Sequence, residues 1–168
     1  TLSFHDVRSF VKLELVHAIL ANFPEATAVA GVATGAIAQG MLVADELALP
    51  YAYVRPKPKD HGMKNQIEGE LPTGSKVVVV EDLISTGGSS LKAVAALREA
   101  GFEVVGMVAS YTYGFPVAEE AFREAHVKLV TLTDYEHVVE KALETGYIKE
   151  DEVAMLHDWR KDPANWRK

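Results

Sequence analysis

The chain has 168 residues, 17 of them Lys or Arg and 24 Asp or Glu, for a net charge of −7. That length suits one domain with a substantial core, and the acidic balance argues against duplex nucleic acid as the main ligand, because phosphate backbones are met by a basic face. The chain has no cysteine, which excludes disulfide and thiolate chemistry; with no apolar run of 18 or more residues and no signal-like start, membrane insertion and secretion find no support, and a cytoplasmic protein is the expectation.

Residues 4–22 carry apolar side chains at Phe10, Leu13, Val16 and Ile19 or Leu20 among charged ones, the spacing of an amphipathic helix. A short buried strand is predicted over 26–32, a helix over 36–47 after the turn Ala33-Thr34-Gly35, and a second strand over 51–54. Residues 55–74 hold prolines, glycines and dense charge without apolar periodicity, so they read as a long exposed loop. A strand over 76–80 leads to a helix over 89–100 stopped by Gly101, then a strand over 103–110. A helix over 117–125, a strand over 127–131 and helices near 136–145 and 150–160 follow. Strand and helix alternate almost throughout, which predicts an α/β fold: a doubly wound, mainly parallel sheet flanked by helices, in a single domain spanning 1–168.

The segment VVVVEDLISTGGSSL, Val77 to Leu91, carries the chemistry. Four consecutive valines read as a strand covered on both faces, and such a strand needs nothing acidic at its end. Glu81 and Asp82 stand there, followed by Ser85, Thr86, Gly87, Gly88, Ser89 and Ser90 where a helix is about to start. Glycines let backbone approach a ligand, hydroxyls donate to phosphate oxygens, and a helix start presents free N–H groups and partial positive charge. Carboxylates beside a phosphate loop would repel the ligand unless they meet ribose hydroxyls or a Mg²⁺ held with them. A bare capping role for Glu81, Asp82 and Ser89 accounts for less of the combined pattern. Gly69 to Lys76 imitates a Walker A spacing, but it leads into a strand rather than out of one, and no Gly-x-Gly-x-x-Gly fingerprint is present.

Val77 to Leu91 resembles the phosphoribosyl pyrophosphate (PRPP) signature of the type I phosphoribosyltransferases. The stretch Tyr53-Val54-Arg55-Pro56-Lys57-Pro58-Lys59-Asp60-His61-Gly62 resembles the mobile catalytic loop of that family's orotate-using branch. Ala30-Gly31-Val32-Ala33-Thr34 resembles its first pyrophosphate-side loop, and Trp159-Arg160-Lys161-Asp162-Pro163 its terminal segment. The resemblance implies transfer of ribose 5-phosphate from PRPP to orotate, giving orotidine 5′-monophosphate and pyrophosphate, with Mg²⁺ as cofactor. It implies a homodimer whose sites are shared through the mobile loop, with neither nucleic acid nor membrane as partner. Lys59, His61 and Asp82 are implied as catalytic. PRPP contacts are implied for Arg55, Lys57, Lys59, His61, Glu81, Asp82, Leu83, Ile84, Ser85, Thr86, Gly87, Gly88, Ser89 and Ser90. Ser85 is implied beside orotate; Mg²⁺ is held mainly by PRPP, with Asp82 the candidate protein ligand. His5, His17, His126, His137 and His157 lack such context and read as surface or helix residues.

The chain departs from the family pattern in places. Pro56 stands where many members have Lys, and Lys57 is the candidate replacement; Ala33-Thr34-Gly35-Ala36 replaces the usual first loop; Tyr111-Thr112-Tyr113-Gly114 stand where some members place an arginine for the orotate carboxylate. The family's amino-terminal hood over the base is expected to be missing before Thr1. The competing readings are a purine-base phosphoribosyltransferase, whose pattern after Arg55 differs, and a non-catalytic PRPP-sensing regulator, whose nucleic-acid-binding face the net charge of −7 opposes.

Overall fold

The computed structural model describes residues 3–57, 66–163 and 165–166. By contact the chain divides into two compact units, Thr1–Leu132 and Thr133–Lys168. In chain order the elements are α1 (His5–Asn22), β1 (Ala28–Val32), α2 (Ile37–Leu47), β2 (Tyr51–Val54), β3 (Ile67–Glu68), β4 (Lys76–Ile84), α3 (Gly88–Glu99), β5 (Glu103–Thr112), α4 (Pro116–Glu124), β6 (Leu129–Asp134), α5 (Tyr135–Glu144) and α6 (Glu150–Lys161).

The six strands form one sheet in the order β3-β2-β1-β4-β5-β6, with β1 pairing parallel to both β2 and β4, β4 parallel to β5, and β3 antiparallel to β2. Helices pack on both faces of the sheet, so the central strands have no solvent side and read as unbroken apolar runs. Val77 and Val79 of β4 face one core with Ala93, Val94 and Leu97 of α3 and Phe122 of α4. Val78 and Val80 face the other, with Leu15 and Ile19 of α1 and Val43 of α2. All four valines are fully buried, and each contributes about 1.5–3 kcal/mol by leaving water.

The buried face of α1 differs from the expected stripe. Leu15, Val16 and Ile19 are buried, whereas Phe10, Leu13 and Leu20 are 65, 40 and 56% exposed. The cause is helical phase: a strict three-residue step slips back around an α-helix, so Phe10 stands about 180° from Ile19.

The expected 55–74 loop is also shorter. Ile67–Glu68 pairs with Tyr53 and Val54, and Ile67 and Leu71 are buried. Arg55 and Gln66 extend the pairing: the Arg55 N–H donates to the Gln66 carbonyl at 2.8 Å, and the Gln66 side-chain amide donates to the Arg55 carbonyl at 2.8 Å. A two-residue strand is too short to show alternation in the sequence.

The second unit is built on α5 and α6. The Asp134 carboxylate caps α5 by accepting from the His137 N–H at 3.0 Å and pairs with the His137 ring at 2.7 Å. The Tyr135 hydroxyl donates to the Leu156 carbonyl at 2.9 Å, its ring lies 5.6 Å from that of Trp159, and Arg160 pairs with Glu136. No helix among the described residues is long and apolar enough to cross a membrane.

Candidate active site

The chain leaves β1 toward β2 and β3 on one side, then returns to β4 and proceeds to β5 and β6 on the other. The strand order reverses between β1 and β4, so the loops at their carboxyl ends diverge and open a crevice, the usual ligand position in an open α/β sheet. The β4 strand extends past Val80 through Glu81 and Asp82 to Ile84, with Glu81 opposite Ala109 and Ile84 opposite Thr112 of β5. The acidic pair therefore lies within the strand, where the sequence reading had placed it just beyond the strand's end.

Strand alternation gives the two carboxylates different surroundings. Glu81 is buried at 5% exposure. Its Oε2 accepts from the Ser90 hydroxyl of α3 at 2.8 Å, and its Oε1 accepts from the Asp82 N–H at 3.0 Å. Burial above all, and then the neighbouring Asp82 carboxyl, push Glu81 up to about 7, against the opposing pull of the Ser90 hydroxyl and the Asp82 N–H. Asp82 is half-buried and lies under the loop that follows β1: a methyl group added at Gly35 would fall 1.8 Å from its Oδ2. Asp82 Oδ1 accepts from the Leu83 N–H at 2.8 Å. Glycine at 35 is thus what lets the first loop reach the acid.

Beyond β4 the backbone turns through Ser85, Thr86 and Gly87 into α3. Gly87 is the N-cap with φ +80°, and no side chain caps the helix. Its conformation is one that side chains rarely adopt, and a Cβ there would also meet Phe122 Cε2 at 2.9 Å. The first N–H groups of α3 are therefore left without a capping side chain, with Gly88 and Ser89 exposed beside them. Like Glu81, two further residues of the expected PRPP set have buried side chains. Ile84 is fully buried and its carbonyl accepts from the Tyr113 N–H at 3.0 Å; Ser90 is 1% exposed and its hydroxyl is engaged by Glu81. Leu83 is 39% exposed, Thr86 is exposed and Ser85 is half-buried.

At the end of β2 a cavity of about 330 Å³ is floored by Val32, Val54 and Ala93. Arg55, Lys57 and Lys92 line it, with Gln66 and Ser89 beside them. Arg55 Nη1 lies 3.5 Å from Glu68 Oε1, yet it is buried without a hydrogen bond. Lys92 was not among the sequence candidates; its only sequence signal is its position one helical turn after Gly88, on the same face of α3. Lys59 and His61 lie outside the described residues. Among the described residues no cluster of three or more metal-ligating side chains exists.

Residues 14–145 match the phosphoribosyl transferase domain family. The chain is 67% identical over 166 residues to the orotate phosphoribosyltransferase of Bacteroides thetaiotaomicron, covering 99% of this chain and 78% of that protein. It is 62% identical to the orotate phosphoribosyltransferase of Porphyromonas gingivalis over 166 residues, 99% of this chain and 79% of the relative. Among solved structures it is similar to the orotate phosphoribosyltransferase of Aeropyrum pernix, with a TM-score of 0.76 at 32% identity, covering 88% of this chain and 81% of that one.

Proposed function

The chain belongs to the phosphoribosyl transferase domain family, in its orotate phosphoribosyltransferase branch, and from that premise we propose that it transfers ribose 5-phosphate from PRPP to orotate, releasing pyrophosphate, a step of pyrimidine synthesis. The observation that carries the reading is the crevice at the β1/β4 reversal, where Asp82 lies against Gly35 of the loop after β1 and the chain beyond β4 runs into the uncapped start of α3. We assign the whole chain to one phosphoribosyltransferase domain, since the family match crosses Leu132. Its proposed setting is the cytoplasm, consistent with a chain that has no cysteine.

Breaking the C1–pyrophosphate bond develops positive charge on the ribose and negative charge on the leaving group. Catalysis therefore rests on fixed charges and dipoles placed where that charge appears, with water excluded. The amide groups of Ser85 to Ser89 and the start of α3 bind the 5′-phosphate. Asp82 accepts from the ribose hydroxyls and faces the developing positive charge. Glu81 acts behind it: by holding Ser90 it fixes the start of α3 against β4. Arg55 and Lys57, with Lys59 and His61, meet the pyrophosphate, the latter two reaching across a homodimer interface. Ser85 and nearby amides flank the base.

Mg²⁺ fits this donor set. The described residues offer no cluster of three ligating side chains, while Asp82 stands at the crevice, an arrangement suited to an ion that takes most of its oxygens from substrate phosphate and water. When bound, Mg²⁺ supplies charge neutralisation to the departing pyrophosphate.

The test is loss of orotate absorbance with PRPP and Mg²⁺, run beside adenine, hypoxanthine and uracil. Orotate alone should be consumed, and Asp82→Asn should lower turnover by about 10²-fold or more with the fold retained. Consumption of adenine would move the chain to the purine-base reading, and PRPP binding without turnover of any base would make it a sensor.

A further inference from the structure

The cavity at the end of β2 is over-supplied with positive charge. Arg55, Lys57 and Lys92 converge on about 330 Å³ of space in a chain whose net charge is −7. The carboxylate beside them is Glu68, 3.5 Å from Arg55 Nη1, and that nitrogen remains buried without a hydrogen bond. Lys57 and Lys92 make no ion pair or side-chain hydrogen bond among the described residues. A buried guanidinium nitrogen that lacks an acceptor is costly to maintain unless an acceptor arrives. The Gln66 amide is held to the Arg55 carbonyl at 2.8 Å, which fixes the wall that carries Arg55.

Lys92 lines the same cavity from α3. It stands on α3 one turn after Gly88, so its flexible stem and the open N–H groups of the first turn address the same space. One phosphate group cannot pair with three separated cations and a helix start, whereas a diphosphate, with two linked anionic centres, can bridge them. Pro56 supplies no charge at its own position, and Lys92 restores one from a different element.

We propose that Lys92 is a diphosphate-binding residue, holding the pyrophosphate group of PRPP, and pyrophosphate once released, together with Arg55 and Lys57. The assignment rests on the reading of the chain as a PRPP-dependent transferase.

The test is calorimetric titration of the full chain with Mg²⁺ present, using pyrophosphate, PRPP and ribose 5-phosphate as separate probes. Lys92→Ala should weaken pyrophosphate and PRPP about tenfold, as expected for loss of one charge-assisted contact, and leave ribose 5-phosphate unchanged. Lys92→Arg should recover most of the loss, which a general packing defect would not allow. Unchanged pyrophosphate affinity in Lys92→Ala overturns the proposal, as does equal weakening of ribose 5-phosphate, which would place Lys92 on the 5′-phosphate or on α3 stability. None of these titrations contains a base. A chain that consumes adenine in place of orotate therefore loses the base assignment alone, and the Lys92 comparison stands or falls separately.

Discussion

Between pH 4.5 and about 7 the Glu81 carboxyl is protonated in the folded chain and ionised in the unfolded one, because burial raises it from 4.5 to about 7. The folded state then binds the extra proton, so the Glu81 contribution to stability is fully present below pH 4.5, declines as pH rises through that window and levels off above it. Glu81→Gln removes the titration while keeping an oxygen that can accept from Ser90. Its NH2 group cannot accept from the Asp82 N–H as Oε1 does, a loss that does not vary with pH, so the stability of the variant relative to the parent should rise by about 2–3 kcal/mol, roughly 5–10 °C in Tm, between pH 4.5 and pH 8. Thermal melts at the two pH values check this; an offset that stays constant with pH would show that Glu81 titrates alike in both states. Asp82, its neighbour in sequence, serves a different purpose because alternation turns it toward Gly35 rather than toward α3.

The β4–α3 junction depends on one backbone conformation. Gly87 and Gly101 both have positive φ, +80° and +88°, but a Cβ at Gly87 meets Phe122 at 2.9 Å while a Cβ at Gly101 meets nothing within 4 Å. Gly101→Ala should therefore cost only backbone strain, about 1 kcal/mol, and Gly87→Ala about 2–4 kcal/mol because strain and overpacking add. Denaturant melts of the two variants separate the terms, and equal losses would contradict the Phe122 contact. This junction was legible in the sequence because Val77 to Leu91 is continuous and each residue type has a local meaning. Other elements lacked such a signal. Two residues cannot show the alternation that would mark β3, and the three-residue spacing of Phe10, Leu13, Val16 and Ile19 imitates an amphipathic face while winding off it. The approach of Gly35 to Asp82 joins distant parts of the chain, so no local pattern announces it. That Glu81 and Asp82 part company was readable in principle, by continuing the alternation of the valines beyond Val80.

At the scale of the assembly, the proposed sharing of sites gives a quantitative expectation. Lys59→Ala and Asp82→Asn should each have little activity alone; if the two residues of one site come from different chains, a mixed dimer has one site with both defects and one with neither. Random reassortment makes about half the dimers mixed, so about a quarter of wild-type activity should return after dissociation and remixing. No recovery, with subunit exchange verified independently, would put both residues on the same chain. Within the chain, the sheet itself has a consequence for descent with modification. Val79 and Val80 are adjacent in sequence, yet the sheet assigns them to separate clusters, one walled by α3 and α4, the other by α1 and α2. Replacements at these neighbours should be close to thermodynamically independent, whereas Val79 with Leu97, or Val80 with Ile19, should couple within their shared clusters. One side of the molecule can then drift and be repacked while the other, seated against the same strand, keeps its ancestral side chains.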